Sequence, residues 1–181
     1  MKKKNFTLVE LLCASALVAI LAGIGFSAYS FASYRGKEAA TKSLISTIEA
    51  ALKTVKNKHN FYPASSSYGD ITVTVNGSTG MITEIKFGGT AISKEKQLKD
   101  FLAVVDGELL KKYIVNGKVA DAWGGAIQYK YPGAVNTTSF DLVAPGQDEK
   151  FGNNESDTPP GSIAGYKQDD EWSCDDIANF R

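Results

Sequence analysis

Glu10 is the one charged side chain between Lys4 and Arg35. A lone carboxylate at the mouth of an apolar run is costly to place in hydrocarbon, so its presence demands a partner and a purpose. Three lysines, Lys2, Lys3 and Lys4, stand just before it. Further along, His59 is the single histidine, at a point where a helix is expected to end. With no second histidine, no nucleophile motif and no phosphate-binding loop, the chain offers no catalytic set, and His59 suits a surface or capping place. The two cysteines, Cys13 and Cys174, lie at opposite ends of the chain, one in the apolar run and one close to the C-terminus. Distance forbids a bridge between them, which leaves the soluble part without an internal disulfide.

The element that must position Glu10 is the run that follows it. Residues 11–34 carry no charge, and as a helix they are about 36 Å long, enough to cross a bilayer. The lysine cluster places the N-terminus in the cytoplasm, with Arg35 and Lys37 weighing on the other side. A secretory signal peptide is the competing reading, but a glutamate at the entrance of its apolar region has no role there. Beyond Arg35 the helical pattern continues. Ala40, Leu44, Ile45, Ile48, Ala51, Leu52 and Val55 recur at helical spacing, whereas Lys37, Glu38, Lys42, Glu49, Lys53 and Lys56 mostly face elsewhere. One helix is predicted over about 6–58, apolar all round in its first half and striped in its second. The stripe needs a partner surface, and the rest of the chain must supply it.

Asn60-Phe61-Tyr62-Pro63 ends that helix, because Pro63 cannot continue it. A Ser-rich turn is expected over 64–67, then a β-branched strand over 71–75, an Asn76-Gly77 hairpin turn and a partner strand over 81–87, closed by Gly88-Gly89. An amphipathic helix is predicted over 94–105, with Leu98, Phe101, Leu102 and Val105 on one face. From 109 onward short strands and loops are expected, with 126–131 and 139–144 as a hairpin. The stretch 145–181 is rich in Gly, Asp and Asn with little periodicity. A loop of that length is unusual in a compact domain, and something other than a hydrophobic core is expected to hold it. The fold class that results is α+β: a long N-terminal helix, membrane-spanning in its first half, packed on a small antiparallel β-sheet head with a long C-terminal loop. Formal net charge is zero, which leaves no basic footprint for nucleic acid.

The order of lysines, then Phe6-Thr7-Leu8-Val9-Glu10, then an apolar helix resembles the type IV prepilin N-terminus, shared by pilins and by the pseudopilins of type II secretion. The resemblance implies cleavage between Asn5 and Phe6 by a prepilin peptidase, N-methylation of the new Phe6 terminus, and pairing of the Glu10 carboxylate with the terminal amine of a neighbouring subunit. Two buried charges that are too costly singly become tolerable when subunits pair them, and the pairing sets register between packed helices. The family usually carries Gly before the cut, where this chain has Asn5, and often a proline where it has Ser27. Farther on, Ile48-Glu49-Ala50-Ala51-Leu52 with Phe61-Tyr62-Pro63 resembles the helix end of the major pseudopilin. Asp121-Ala122-Trp123-Gly124-Gly125-Ala126-Ile127-Gln128-Tyr129 is similar to its Asp-Pro-Trp-Gly stretch. Gly146-Gln147-Asp148 and the terminal Asp175-Asp176-Ile177-Ala178-Asn179-Phe180 follow in the family's order. Residues 64–120 and 153–174 have no clear counterpart and are expected to be insertions. The family's C-terminal loop binds one calcium ion, and the resemblance puts Asp148, Asp175 and Asp176 on its acidic positions; calcium takes six to eight oxygens from carboxylates and carbonyls.

The organisation expected is a leader over 1–5, a membrane and assembly half-helix over 6–34, and a head over 35–181. In the head, 35–58 is the amphipathic helix half and 145–181 the loop. The function implied is a structural subunit of a type II secretion pseudopilus rather than an enzyme. It sits in the inner membrane with its head outside the cytoplasm, and it enters a helical filament with other copies of itself. Prepilin peptidase, minor pseudopilins and the secretion assembly platform are the partners implied. Two alternatives stay open: a type IV pilin of an extracellular fibre, whose C-terminal loop commonly carries a disulfide, and a single-pass membrane-anchored binding module that never polymerises. Trp123 is expected to pack as core, on the loop or on the helix stripe.

Overall fold

A computed structural model describes residues 7–92, 94–168 and 171–180, in two units, Met1–Lys37 and Glu38–Arg181. The described residues of the first unit are helical from Leu8 onward. Helix α1 spans Leu8–His59 and so runs on into the second unit. Among the described residues of the first unit, Leu8, Leu11, Ile20, Phe26 and Phe31 are each more than half exposed. The helix is long and apolar enough to cross a membrane. Water is a poor solvent for such a surface, and bilayer or neighbouring helices would cover it.

The second unit begins where α1 acquires a buried stripe. Thr41, Leu44, Ile45, Ile48, Ala51, Leu52 and Val55 are buried on it. The pattern is the one the sequence predicts, shifted at its start: Ala40 is half-buried and Thr41 takes the first fully buried position. Glu38–Lys42 and Glu49–Lys53 pair one helical turn apart on the outer side. The helix closes at Asn60, which adopts a left-handed φ of 51° and donates its N–H to the carbonyl of Lys56.

The stripe packs on an antiparallel sheet. Its strands are β1 (Ser65–Val75), β2 (Ile82–Phe87), β3 (Thr90–Ala91), β4 (Ile114–Val115), β5 (Lys118–Val119), β6 (Gln128–Tyr131), β7 (Asp141–Ala144) and, beyond the small hairpin of β8 (Lys167–Gln168) and β9 (Glu171–Trp172), β10 (Ile177–Ala178). The order across the sheet is β10-β7-β6-β1-β2-β3, with β5 also pairing β1 and β4 pairing β5. One apolar core joins α1 to it through Ile71, Ile85, Phe87, Tyr129, Phe140 and Leu142. Burying a side chain of this size contributes about 1.5–3 kcal/mol, so this layer dominates the stability of the head. The architecture is α+β and pilin-like, as expected.

Three local expectations need correction. The Ser-rich stretch is not a turn: Ser65–Ser67 open β1, and Ser65 pairs with Tyr131 across a register shift that precedes Gly69. The Ser65 hydroxyl donates to the carbonyls of Ser67 and Gly88, which satisfies the irregular backbone there. The Asn76 turn is longer than a two-residue hairpin, because the Asn76 side chain accepts the N–H groups of Ser78 and Thr79 and stretches the loop to Gly80. Helix α2 (Glu95–Val105) is followed by a second short helix, α3 (Gly107–Lys111), where strands were expected. Asp106, at φ 60°, breaks the first helix and accepts the Glu108 N–H to start the next. On α2 itself Gln97, Phe101 and Val105 are buried while Leu98 and Leu102 are half-buried. Lys58 and His59 at the end of α1 both hold Asp100 of α2, each at 2.7 Å, and these contacts keep the Asp100 carboxyl below its usual range. His59 is thus a tie between two helices.

Candidate functional site

Asn5 and Phe6, the expected cleavage and methylation pair, lie outside the described residues. Their helix-side neighbours are described. Thr7 immediately precedes α1, and Glu10 lies in the first turn. The Thr7 N–H and hydroxyl both donate to Glu10 Oε2 at 2.9 Å, while the Glu10 N–H donates back to Thr7 Oγ1 at 3.3 Å. This is a reciprocal capping box: two of the helix's free donors are satisfied, and the negative charge stands at the positive end of the helix dipole. Sequence reasoning singled out Glu10 by its charge and missed Thr7, although Thr-x-x-Glu ahead of an apolar run is itself a helix-start signal. Within its own chain, then, the carboxylate is held at the helix entrance and remains exposed.

In the second unit the structure gathers Asp148, Asp175 and Asp176 in one neighbourhood. Gly146 permits this, with φ at 79°; a Cβ on it would meet the carbonyl oxygen of Asp175 at 2.7 Å. Asp175 Oδ2 accepts the N–H groups of Gln147 at 2.5 Å and Asp148 at 3.2 Å. Asp148 Oδ1 accepts the Lys150 N–H at 2.8 Å. Asp176 is fully buried, and its Oδ2 accepts the Gly152 N–H at 2.6 Å. Burial raises the carboxyls of Asp175 and Asp176, the latter to about 6, and the neighbouring carboxylates add to the rise.

Each of these three carboxylates is turned to the loop's own backbone. Among the described residues no three His, Cys, Asp or Glu side chains are grouped to hold a metal ion. Asp148, Asp175 and Asp176 each give an oxygen to a backbone N–H of the loop, whereas calcium takes six to eight oxygens. Their observed work is to close the loop upon itself.

Two further carboxylates do the same elsewhere. Asp121 Oδ1 accepts the N–H groups of Trp123, Gly124 and Gly125, each at 2.9 Å, and its Oδ2 that of Gly146 at 3.1 Å. It therefore anchors the Trp123 turn to the start of the C-terminal loop. Burial holds its carboxyl above the usual range despite those donors. Trp123 packs against the main core, as expected. Asp141, fully buried on β7, accepts the N–H groups of Ala134, Val135 and Asn136 and the hydroxyl of Tyr68 at 2.7 Å. From sequence, Asp121 is only a letter in a motif and Asp141 only a position in the strand expected over 139–144; their roles rest on contacts with backbone that no spacing displays.

The comparisons with known proteins divide along the same lines. A family model for type II secretion system protein G matches residues 93–159, and one for the prokaryotic N-terminal methylation motif matches residues 2–26. The first match begins ahead of α2, so 93–120, expected to be inserted, lies within the family region, as do 153–159. No curated protein and no solved structure matches the chain.

Proposed function

Since the chain belongs among the type IV prepilin-like proteins, of the pseudopilin type, we propose that it is the structural subunit of a type II secretion pseudopilus. Processing occurs between Asn5 and Phe6, and the methylated Phe6 becomes the first residue of the mature chain. The helix then starts at Leu8, two residues past the new terminus, with Thr7 and Glu10 already in place. The observation that carries this reading is Glu10 itself: one carboxylate, at the entrance of a helix whose apolar surface is exposed all round. A charge so placed has little to offer a substrate and much to offer the amine of an adjacent subunit, since pairing would remove the cost of carrying both into the bilayer.

In this reading the precursor is stored in the inner membrane with its head on the far side. Prepilin peptidase, the assembly platform and minor pseudopilins are its partners, and the subunit catalyses no reaction. Assembly repeats one heterologous contact, which gives an open filament. The head holds Cys174 alone of the two cysteines, so it cannot carry the internal disulfide common in type IV pilins; this favours the secretion reading. The test is Glu10→Ala in a host that assembles the wild-type chain. The variant should be cleaved yet fail to enter filaments. Normal filaments from Glu10→Ala would remove the assembly role of the carboxylate.

A further inference from the structure

The stretch 145–181 was expected to need something other than a hydrophobic core, and the structure overturns that expectation. A second apolar cluster of Val143, Phe151, Tyr166 and Ala178 lies beneath it, with Tyr68, Trp172 and Phe180 packed against it. Tyr166 is fully buried. Its ring stacks on Trp172, centroids 5.4 Å apart at 16°, and meets Phe180 edge-on at 5.4 Å. The β8–β9 hairpin sets this geometry by pairing Lys167 with Trp172. Backbone follows the same course. The Asn153 N–H donates to the Gly165 carbonyl at 2.8 Å, and the Ser173 N–H to that of Tyr166 at 3.2 Å. The Ser173 hydroxyl donates to Asn153 Oδ1 at 2.7 Å. At the far end β10 pairs with β7 and completes the sheet edge.

Aromatic contacts of this kind contribute about 0.5–1.5 kcal/mol each beyond the area they bury. Tyr166 and Trp172 both lie in the segment that follows the protein G match, which ends at residue 159. The geometry points to a substitution of one cross-link for another: in this chain the segment 160–174 locks the C-terminal loop with a Tyr166–Trp172–Phe180 clamp where a metal ion would otherwise do so, and the head folds independently of calcium. Asp175 and Asp176 serve the clamp by tying Gln147, Asp148 and Gly152 to the C-terminal strand. This inference concerns the head alone and does not depend on polymerisation.

The experiment uses the full chain in detergent micelles. The thermal midpoint of the head is read by near-ultraviolet circular dichroism with added calcium chloride and with chelator. Protease resistance of 145–181 is read in parallel for the wild type, Trp172→Ala and Trp172→Phe. The clamp predicts one midpoint with calcium and with chelator, loss of loop protection in Trp172→Ala, and retained protection in Trp172→Phe. A midpoint that rises with calcium or falls with chelator would overturn the inference, as would a loop equally protected in Trp172→Ala. The calcium arm uses the wild-type chain, so it decides the matter even where a variant fails to fold.

Discussion

At the scale of the residue, the buried carboxylates of the head act alike, because each takes backbone N–H groups that no strand or helix serves. Asp121 is the extreme case, with four donors on two oxygens. Removing it strands buried donors, each at a cost of about 1–3 kcal/mol when unpaired. Asp121→Ala is therefore predicted to destabilise the head by about 3 kcal/mol or more, measurable as a lower midpoint in urea with an unchanged slope. Asp176 makes a prediction of a different sign. Its carboxyl is raised from 3.8 to about 6 in the folded chain, so the fold binds this proton more tightly than the unfolded chain does. Its contribution is fully present below the unfolded value and is lost as pH rises through about 6. Asp176→Asn keeps an oxygen for the Gly152 N–H and cannot ionise. It should flatten the pH dependence of stability between about 4 and 6 and stabilise the head at neutral pH by at most about 3 kcal/mol. An unaltered pH profile in the variant would show that Asp176 titrates normally.

At the scale of the element, α1 shows how one helix can serve two solvents. Up to Lys37 its apolar residues face outward on all sides; from Thr41 they narrow to a single buried stripe. Leu52 is fully buried in that stripe, and Leu52→Ala should cost about 2–5 kcal/mol through lost burial and the cavity left behind. Thr41 is subtler. Its hydroxyl oxygen accepts the Ala122 N–H at 3.1 Å and so fastens the helix to the Trp123 turn. Thr41→Val keeps the shape and removes the acceptor, with an expected cost of about 1–3 kcal/mol; hydrogen exchange at Ala122 should quicken if that bond is the one lost. The stripe, the hairpins and α2 were legible because each repeats with a period that backbone geometry imposes. Thr41 was not, since a polar residue in an apolar stripe gives no sign of its partner 81 positions away. Nor was α3, whose single turn carries too few positions to display a period. Tyr166, Trp172 and Phe180 fall at irregular intervals among Gly, Asp and Ser, and their contacts exist only once β7 and β10 have met.

At the scale of the whole molecule, the two units answer to different surroundings. The head has its own cores and its own satisfied loops, and its stability is a matter for water. Among the described residues of the first unit none is buried; Leu8, Leu11, Ile20, Phe26 and Phe31 stand exposed, and the Glu10 carboxylate sits beside Thr7 at the helix entrance. A bilayer or neighbouring helices would cover such a surface. Everything proposed for assembly depends on how the chain begins once the cell has processed it, because the amine that Glu10 is to meet does not exist in the precursor. The direct measurement is mass spectrometry of the N-terminal peptide from chain purified out of cells that have prepilin peptidase. The account predicts a mature chain that starts at N-methylated Phe6. A chain that keeps Met1 through Asn5, or one cut beyond the apolar run as a secretory signal would be, contradicts it.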